Sequence, residues 1–247
     1  MTIYKQLLFL LFDPKYRELE TIMMDFPEPR VLQTPPYVQL AIDIPLISSV
    51  RNLFDQIAEI ATSRLLIEIG TPFLKNEGLR SVVPFCREYF PSNYLIADLK
   101  TLDVGKLEVN LGSKMGVNAC VVSGLAPIAT INNFIDECRN SKVDSWVDTL
   151  GISFNDFRTK VKSLKSFPDV LVIHRGIDEE NSGKKYSWEI IKLYKSLVPS
   201  LIAVAGGITL KNLQEPLKNG SDIIIVGRAI YQAKDPTVQL KKFLSAL

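Results

Sequence analysis

The sequence of 247 residues predicts a closed (β/α)8 barrel, the TIM-barrel fold, with a short N-terminal extension. Three observations predict this fold class. Eight short runs rich in β-branched residues recur at intervals of roughly 20 to 30 residues. These runs are continuously apolar, as expected for parallel strands that are covered on both faces. Stretches with helical periodicity separate the runs, so the chain alternates strand and helix eight times.

The predicted strands follow one another at these intervals along the chain. In chain order they are Tyr37–Asp43, Leu65–Gly70, Tyr94–Leu99, Ala119–Gly124, Ser145–Leu150, Val170–Arg175, Leu201–Ala205 and Asp222–Gly227. Between them, the stretch from Val50 to Ala61 shows the clearest apolar stripe. The same helical periodicity is found in Ile128–Cys138, Ser187–Leu197 and Leu210–Leu217. Pro84 is expected to kink the second helical stretch, because proline lacks the backbone N–H that a helix interior uses.

The main alternative is an open, doubly wound sheet. Dinucleotide-binding sheets of that type carry a Gly-x-Gly-x-x-Gly turn after the first strand, where this sequence has Asp43. The sequence therefore favours the barrel.

Residues 1–36 are predicted to form an extension that ends in a proline-rich connector, and residues 37–247 to form the barrel. The apolar run Gln6–Phe12 is too short to span a bilayer and is not followed by a small-residue cleavage site. We expect it to pack on the barrel or on a partner chain, and we expect a cytoplasmic protein without a membrane partner.

Composition excludes several function classes. The 29 basic and 27 acidic residues give a net charge of +2, which argues against a nucleic-acid-binding surface. The odd number of cysteines, three, predicts neither a disulfide framework nor a zinc knuckle, and is typical of a reducing compartment. A single histidine, His174, excludes a metal site built from several histidines.

Charged residues cluster where the predicted strands end, and in barrels the carboxyl ends of the strands carry the chemistry. The third strand continues into Asp98, Lys100 and Asp103, and strand alternation predicts that the first two point to the same side. Such a cluster can stabilise negative charge that develops on a substrate. Alternatively, it is an ion pair that closes the mouth of the barrel.

Two further strand ends carry acids. Glu68 lies late in the second strand beside Asp98 of the third, and Asp43 ends the first. Carboxylate oxygens with open positions suit Mg²⁺, so Glu68 and Asp98 are candidate metal ligands. A solvated or lysine-paired Glu68 is the alternative.

The seventh and eighth strands end in glycines. Gly206, Gly207 and Gly227 allow close approach of the backbone, and Arg228 adds a charged donor, which together favour phosphate binding. His174, at the end of the sixth strand, can take up and return a proton near neutral pH. A purely structural histidine and simple turn glycines remain the alternatives.

Six segments in order resemble 3-hexulose-6-phosphate synthases of the orotidine 5′-monophosphate decarboxylase superfamily. They are Val38–Asp43, Ile67–Pro72 with Lys75–Gly78, Ala97–Gly105, Ile173–Asp178, Ala203–Ile208 and Ile225–Ile230. The resemblance covers the chain from about Tyr37 onward. It implies a Mg²⁺-dependent, reversible aldol reaction in which ribulose 5-phosphate and formaldehyde give 3-hexulose 6-phosphate.

The resemblance also implies roles for individual residues. Glu68 and Asp98 would hold Mg²⁺, His174 would move the C1 proton of the sugar, and Lys100 would help to stabilise the enediolate. For the other positions, the implied roles are hydroxyl positioning by Asp43 and Thr101, phosphate binding by Gly206, Gly207, Gly227 and Arg228, and a contribution of Asp103 to the neighbouring site in a homodimer.

Relatives within the superfamily share parts of this pattern. Glu68 and His174 argue against orotidine 5′-phosphate decarboxylase, which works without a metal. 3-Keto-L-gulonate 6-phosphate decarboxylase resembles the chain equally at the metal ligands, but it typically has an arginine where this sequence has Ile177. The segment Ser123–Thr130 lacks the acidic residues expected for the synthase. A phosphate-binding barrel without turnover, acting as a regulatory or assembly subunit, is the non-enzyme alternative.

Overall fold

The computed structural model describes residues 32–181 and 187–247. Residues Thr34–Leu247 form one compact unit. Most of the predicted extension, including the apolar run Gln6–Phe12, lies outside the described residues. The proposed boundary between extension and barrel at residue 36 therefore stays a prediction, although the first strand does begin at Tyr37.

Eight strands form a closed, parallel barrel in which each strand pairs with its neighbours in sequence and β1 pairs with β8. The strands are β1 Tyr37–Ile42, β2 Leu65–Ile69, β3 Leu95–Thr101, β4 Ala119–Ser123, β5 Asp144–Asp148, β6 Val170–His174, β7 Leu201–Ala205 and β8 Ile223–Val226. The predicted fold class is confirmed. Closure explains why the runs are continuously apolar, because barrel interior and helix layer leave both faces of each strand buried.

Helices connect the strands on the outside of the barrel. They are α1 Ile47–Ile57, α2 Thr71–Glu77, α3 Leu79–Tyr89, α4 Gly105–Met115, α5 Ile128–Asn140, α6 Phe154–Val161, α7 Ile177–Asn181, α8 Ile190–Lys195, α9 Gln214–Lys218, α10 Arg228–Tyr231 and α11 Pro236–Ser245. The apolar stripe predicted after the first strand is the buried face of α1, formed by Val50, Leu53, Phe54 and Ile57.

Two local features differ from the expectation. The second helical stretch is divided at Gly78 into α2 and α3, whereas Pro84 lies within α3. In β3, the pairing with β4 shifts register between Ala97 and Thr101, and Lys100 has a φ of 45°. The end of β3 is therefore a bulge and not a regular strand.

Of the helices in the described ranges, none combines the length and the apolar composition that crossing a bilayer requires.

Candidate active site

A cavity of about 800 Å³ opens where the carboxyl ends of the strands meet. Nine of the eleven residues predicted for the site line it. These are Asp43, Glu68, Asp98, Lys100, His174, Gly206, Gly207, Gly227 and Arg228. The structure thus brings together residues that are up to 185 positions apart in the sequence, since each of them ends or follows a strand of the same barrel.

The remaining two predicted residues, Thr101 and Asp103, lie outside this cavity. Thr101 is buried, and its hydroxyl donates a hydrogen bond to the carboxylate of Glu108 on α4. This position gives no support to a role in holding a substrate hydroxyl. Asp103 is exposed in the loop before α4, and it lines a separate groove of about 320 Å³.

The centre of the site is Asp148, which the sequence reasoning missed. Its Oδ2 accepts hydrogen bonds from Lys100 Nζ at 2.7 Å and from His174 Nδ1 at 2.8 Å. Its Oδ1 accepts the backbone N–H of Leu150 at 2.8 Å. Asp148 ends β5, so the rule that drew attention to the other strand ends would have found it.

Asp148 remains ionised across the physiological range. Burial alone would raise the pKa of this carboxyl, but His174 and then Lys100 hold it well below its usual range. An ionised carboxylate can only accept hydrogen bonds, so His174 donates from Nδ1. The Nε2 atom of the neutral imidazole is then the acceptor, and this is the atom that can take a proton from a substrate.

Lys100 is held between two carboxylates. Its Nζ also contacts Asp98, at 3.1 Å from Oδ1 and 2.9 Å from Oδ2. Burial lowers the pKa of the ammonium, but Asp98 and Asp148 together raise it above its usual value. Lys100 is therefore a permanent cation at this site, which excludes the free amine that a Schiff-base mechanism needs.

Asp98 is fixed from a second side. The hydroxyl of Thr71, at the start of α2, donates to Asp98 Oδ2 at 2.9 Å and to the Asp98 carbonyl at 2.8 Å. Thr71 belongs to the Gly-Thr-Pro segment that follows β2, so the loop after one strand orients the acid of the next. This arrangement explains a threonine whose role the sequence did not reveal.

Asp98, Asp43 and Glu68 form a second, acidic part of the site. Burial is the largest cause that raises the pKa of Glu68 well above its usual value, and the charges of Asp98 and Asp43 raise it further. Burial and the Asp98 charge likewise raise the pKa of Asp43. The raised pKa values of Asp43 and Glu68 mark an electrostatic environment in which a bound cation would be stabilised.

The loop after β2 lets these acids approach one another. A Cβ at Gly70 would collide with Asp43 Oδ1 and would lie 2.6 Å from the Ile42 carbonyl oxygen. Glycine is therefore required between the ends of β1 and β2. Across the described residues, no group of three or more His, Cys, Asp or Glu side chains is arranged to hold a metal ion. Two carboxylates with open positions, Glu68 and Asp98, remain the candidate ligands, as Mg²⁺ sites often use.

The opposite wall of the cavity is cationic. Arg228 and Arg175 line it beside the loop after β7. Gly206 has a φ of +109°, and a Cβ there would collide with the Arg175 carbonyl oxygen. The loop can take this path only with glycine, which leaves room for an anion beside backbone N–H groups.

Comparisons with known proteins identify relatives. A bifunctional enzyme Fae/Hps of Methanothrix thermoacetophila is 42% identical over 217 residues, which are 87% of this chain and 54% of that protein. The bifunctional enzyme Fae/Hps of Methanocaldococcus jannaschii is 38% identical over 233 residues, which are 94% of this chain and 57% of that protein. The chain thus spans about half the length of these relatives.

Solved structures agree with the fold. The 3-hexulose-6-phosphate synthase from Salmonella typhimurium superposes with a TM-score of 0.77 at 29% identity, over 86% of this chain and 98% of that one. The model of the orotidine 5′-phosphate decarboxylase / HUMPS family matches residues 36–243. That match includes all eight strands and every cavity residue named above, and the chain belongs to the orotidine 5′-phosphate decarboxylase / HUMPS family.

Proposed function

We propose that this chain is an aldehyde-lyase of the 3-hexulose-6-phosphate synthase type, which joins formaldehyde to D-ribulose 5-phosphate and reverses that reaction. The names of the similar proteins support the proposal. One structural observation carries it: Asp148 fixes a proton-accepting histidine and a permanent cation next to a cluster of carboxylates. The reaction needs these groups, because a C–H proton must leave while negative charge develops on oxygen.

We propose one orientation for the substrate in the cavity. Gly206, Gly207, Gly227 and Arg228 would bind the phosphate on one wall, and Asp43 would position a hydroxyl on the other. The carbonyl end of the sugar would then lie between His174 and the carboxylates.

His174 Nε2 would remove a proton from C1 of ribulose 5-phosphate. The electron pair of that C–H bond gives an enediolate, and Lys100 stabilises its negative charge. C1 then forms a bond to the carbon of formaldehyde. The reaction is proton-neutral overall, because the proton that leaves C1 is matched by one that the new hydroxyl gains.

Glu68 and Asp98 would hold Mg²⁺, whose ligand preferences they fit. Such an ion supplies Lewis-acid polarisation of the substrate's carbonyl and hydroxyl oxygens. Asp98 would keep its orientation through Thr71 and Lys100, so the same carboxyl serves the cation and the lysine.

We propose a homodimer in which Asp103 reaches the neighbouring site. Asp103 is exposed and has four exposed apolar neighbours on the same segment, Leu102, Val104, Leu107 and Leu111. An exposed apolar patch of this kind is typical of a surface that another chain covers. We also propose a cytoplasmic location, which is supported by the three buried, unpaired thiols of Cys86, Cys120 and Cys138.

The test is an assay of formaldehyde with and without Mg²⁺. We expect formaldehyde consumption with ribulose 5-phosphate and formaldehyde release from 3-hexulose 6-phosphate. No turnover in either direction would contradict the proposal. Release of CO₂ from 3-keto-L-gulonate 6-phosphate instead would assign the related decarboxylase activity, which the exposed Ile177 at the cavity does not favour. Binding of ribulose 5-phosphate without C1 proton exchange would favour the non-enzyme alternative.

A further inference from the structure

Gln39 is a buried polar side chain in the apolar interior of the barrel. It lies in the middle of β1, is 2% exposed and lines the floor of the cavity. Its neighbours along that floor are mostly apolar and include Val121, Val172 and Ile225. A leucine or methionine would fill the same space without burying an amide, so packing alone does not explain a glutamine here.

The NH₂ group of the Gln39 amide has a hydrogen-bond partner, the carboxylate of Glu68. Gln39 Nε2 donates to Glu68 Oε2 at 2.5 Å, from a strand directly beside β2. A carboxylate that holds a cation is ionised and can only accept hydrogen bonds, so in the cation-bound protein the NH₂ group of Gln39 faces Glu68. The orientation of the amide thus follows from the carboxylate and is not arbitrary.

The carbonyl oxygen of the same amide is different. Within the described part of the chain, Gln39 Oε1 is buried and has no hydrogen-bond partner. Because the NH₂ group is committed to Glu68, this oxygen cannot exchange places with it. Leaving a buried carbonyl oxygen without a donor costs free energy, so this oxygen calls for a donor from outside the protein, a water or a ligand group.

We propose that Gln39 is a positioning residue with two simultaneous tasks. Its Nε2 orients the Glu68 carboxylate toward the cavity, and its Oε1 accepts a hydrogen bond from an O–H group that sits on a cation held by Glu68 and Asp98. The O–H group is a water or a sugar hydroxyl, which share this chemistry. The inference rests on the proposed function, since that function requires the cation.

The test measures cation binding directly. Gln39→Met keeps the length and volume of the side chain and removes both hydrogen-bonding groups. With Mn²⁺ as the probe, titration followed by electron paramagnetic resonance should show binding to the full chain that is about 10-fold or more weaker in Gln39→Met. Gln232→Met makes the same substitution at an exposed glutamine that also lines the cavity, and it should leave Mn²⁺ binding unchanged.

A double-mutant cycle shows whether Gln39 acts through Glu68. In a Glu68→Gln background, Gln39→Met should have less effect on Mn²⁺ affinity than it has in the natural chain, because the two residues share one hydrogen bond. Additive losses would overturn the orienting role. Gln39→Leu provides a second variant of similar volume if Gln39→Met does not fold.

Sugar binding separates the second task from the first. With Mn²⁺ saturating, the KM for ribulose 5-phosphate or the number of exchangeable waters on Mn²⁺, measured by proton relaxation, should change in Gln39→Met. If Mn²⁺ affinity and water number both equal those of the natural chain, the inference is wrong.

A chain that binds Mn²⁺ but does not consume formaldehyde would instead contradict the proposed function, and the comparison of variants would still decide the role of Gln39. A chain that consumes formaldehyde without binding Mn²⁺ would overturn the inference alone.

Discussion

At the scale of single residues, the Asp148 carboxylate holds two partners, His174 and Lys100. It keeps His174 in the tautomer whose Nε2 is free to accept a proton, and it keeps Lys100 charged. The same contacts lower the pKa of Asp148, so its contribution to folding is complete above the ordinary pKa of an aspartate. That contribution is lost as the pH falls through the lower pKa of the folded state.

Asp148→Asn should therefore lower kcat on the order of 100-fold or more, because an asparagine amide can stabilise the wrong histidine tautomer. The KM for ribulose 5-phosphate should change little, since the hydrogen bonds of the Asp148 side chain go to Lys100, His174 and Leu150 and not to the phosphate loops. Steady-state assays check this. Asp156→Asn is the matched control, because it makes the same change on the exposed start of α6, and it should retain full activity.

His174→Asn should abolish proton exchange at C1 of ribulose 5-phosphate while the sugar phosphate still binds. Loss of a general base lowers rates by about 10²–10⁴-fold. Exchange is measured by nuclear magnetic resonance in ²H₂O, and binding by calorimetry. Undiminished exchange would remove His174 from the mechanism.

At the scale of elements, the strand ends and the loops after them determine the geometry of the site more than the regular parts of the strands do. The eight strands were predictable because short apolar runs rich in β-branched residues, separated by helical stretches, are typical of buried parallel strands. The bulge in β3 was not predictable, since nothing in the residues Asp98–Thr101 signals the φ of 45° at Lys100. Asp98 and Lys100 do share the cavity as predicted, but a strained backbone presents them there, and simple alternation is not the reason.

The loop after β7 gives a test at this scale. Gly206→Ala should weaken binding of inorganic phosphate and lower stability by about 1–3 kcal/mol, because a Cβ is strained at this φ and collides with the Arg175 carbonyl. Gly116→Ala is a control at a similar φ of +92° with open space around the Cβ. It should cost only the backbone strain and leave phosphate binding intact. Equal phosphate affinity in both variants would contradict the role of the loop.

At the scale of the whole molecule, the acidic cluster couples stability to pH and to cations. The pKa of Glu68 is raised in the folded state, so the folded protein binds this proton more tightly than the unfolded protein. Stability of the cation-free protein should therefore fall as the pH rises above the ordinary pKa of a glutamate. The fall should end where the pH exceeds the pKa of the folded state.

Glu68→Gln should remove this dependence. We expect a higher Tm than that of the natural chain at pH 8 without cations. Near pH 3 we expect no difference, because this pH is below the ordinary pKa of a glutamate and Glu68 is protonated in both states. Added Mg²⁺ should raise the Tm of the natural chain and not that of Glu68→Gln. Scanning calorimetry at the two pH values checks these expectations, and a lower Tm for Glu68→Gln at pH 8 would contradict them.

The dimer can be tested by complementation. Asp103→Ala and His174→Asn should each be inactive alone. If Asp103 serves the neighbouring site, a mixed dimer contains one intact site, and refolding equal amounts together should restore about a quarter of the natural activity. No recovery, with mixed dimers confirmed by mass spectrometry, would place Asp103 outside the partner's site.

Most residues of the site could be predicted from the sequence, but the hydrogen bonds between them could not. Residues at strand ends, such as Glu68 and His174, stand where a rule about barrels directs attention. Gln39 lies in the middle of a strand, and Thr71 bonds to an acid on the next strand, so neither follows from a one-dimensional pattern. Asp148 also ends a strand, as the rule about barrels requires, but no recognisable motif adjoins it in the sequence, so it was missed. What the sequence alone cannot supply is which side chains share a hydrogen bond.

Closure of β1 on β8 has a consequence for protein engineering. The amino end of β1 lies at the face of the barrel opposite to the cavity, and helices that run back from the cavity side, such as α11, end at that same face. Polypeptide joined after α11 would therefore attach away from the entrance for substrate. A fusion partner at this end should leave the entrance open. A barrel of this connectivity can thus be combined with a second catalytic module without redesign of its own site.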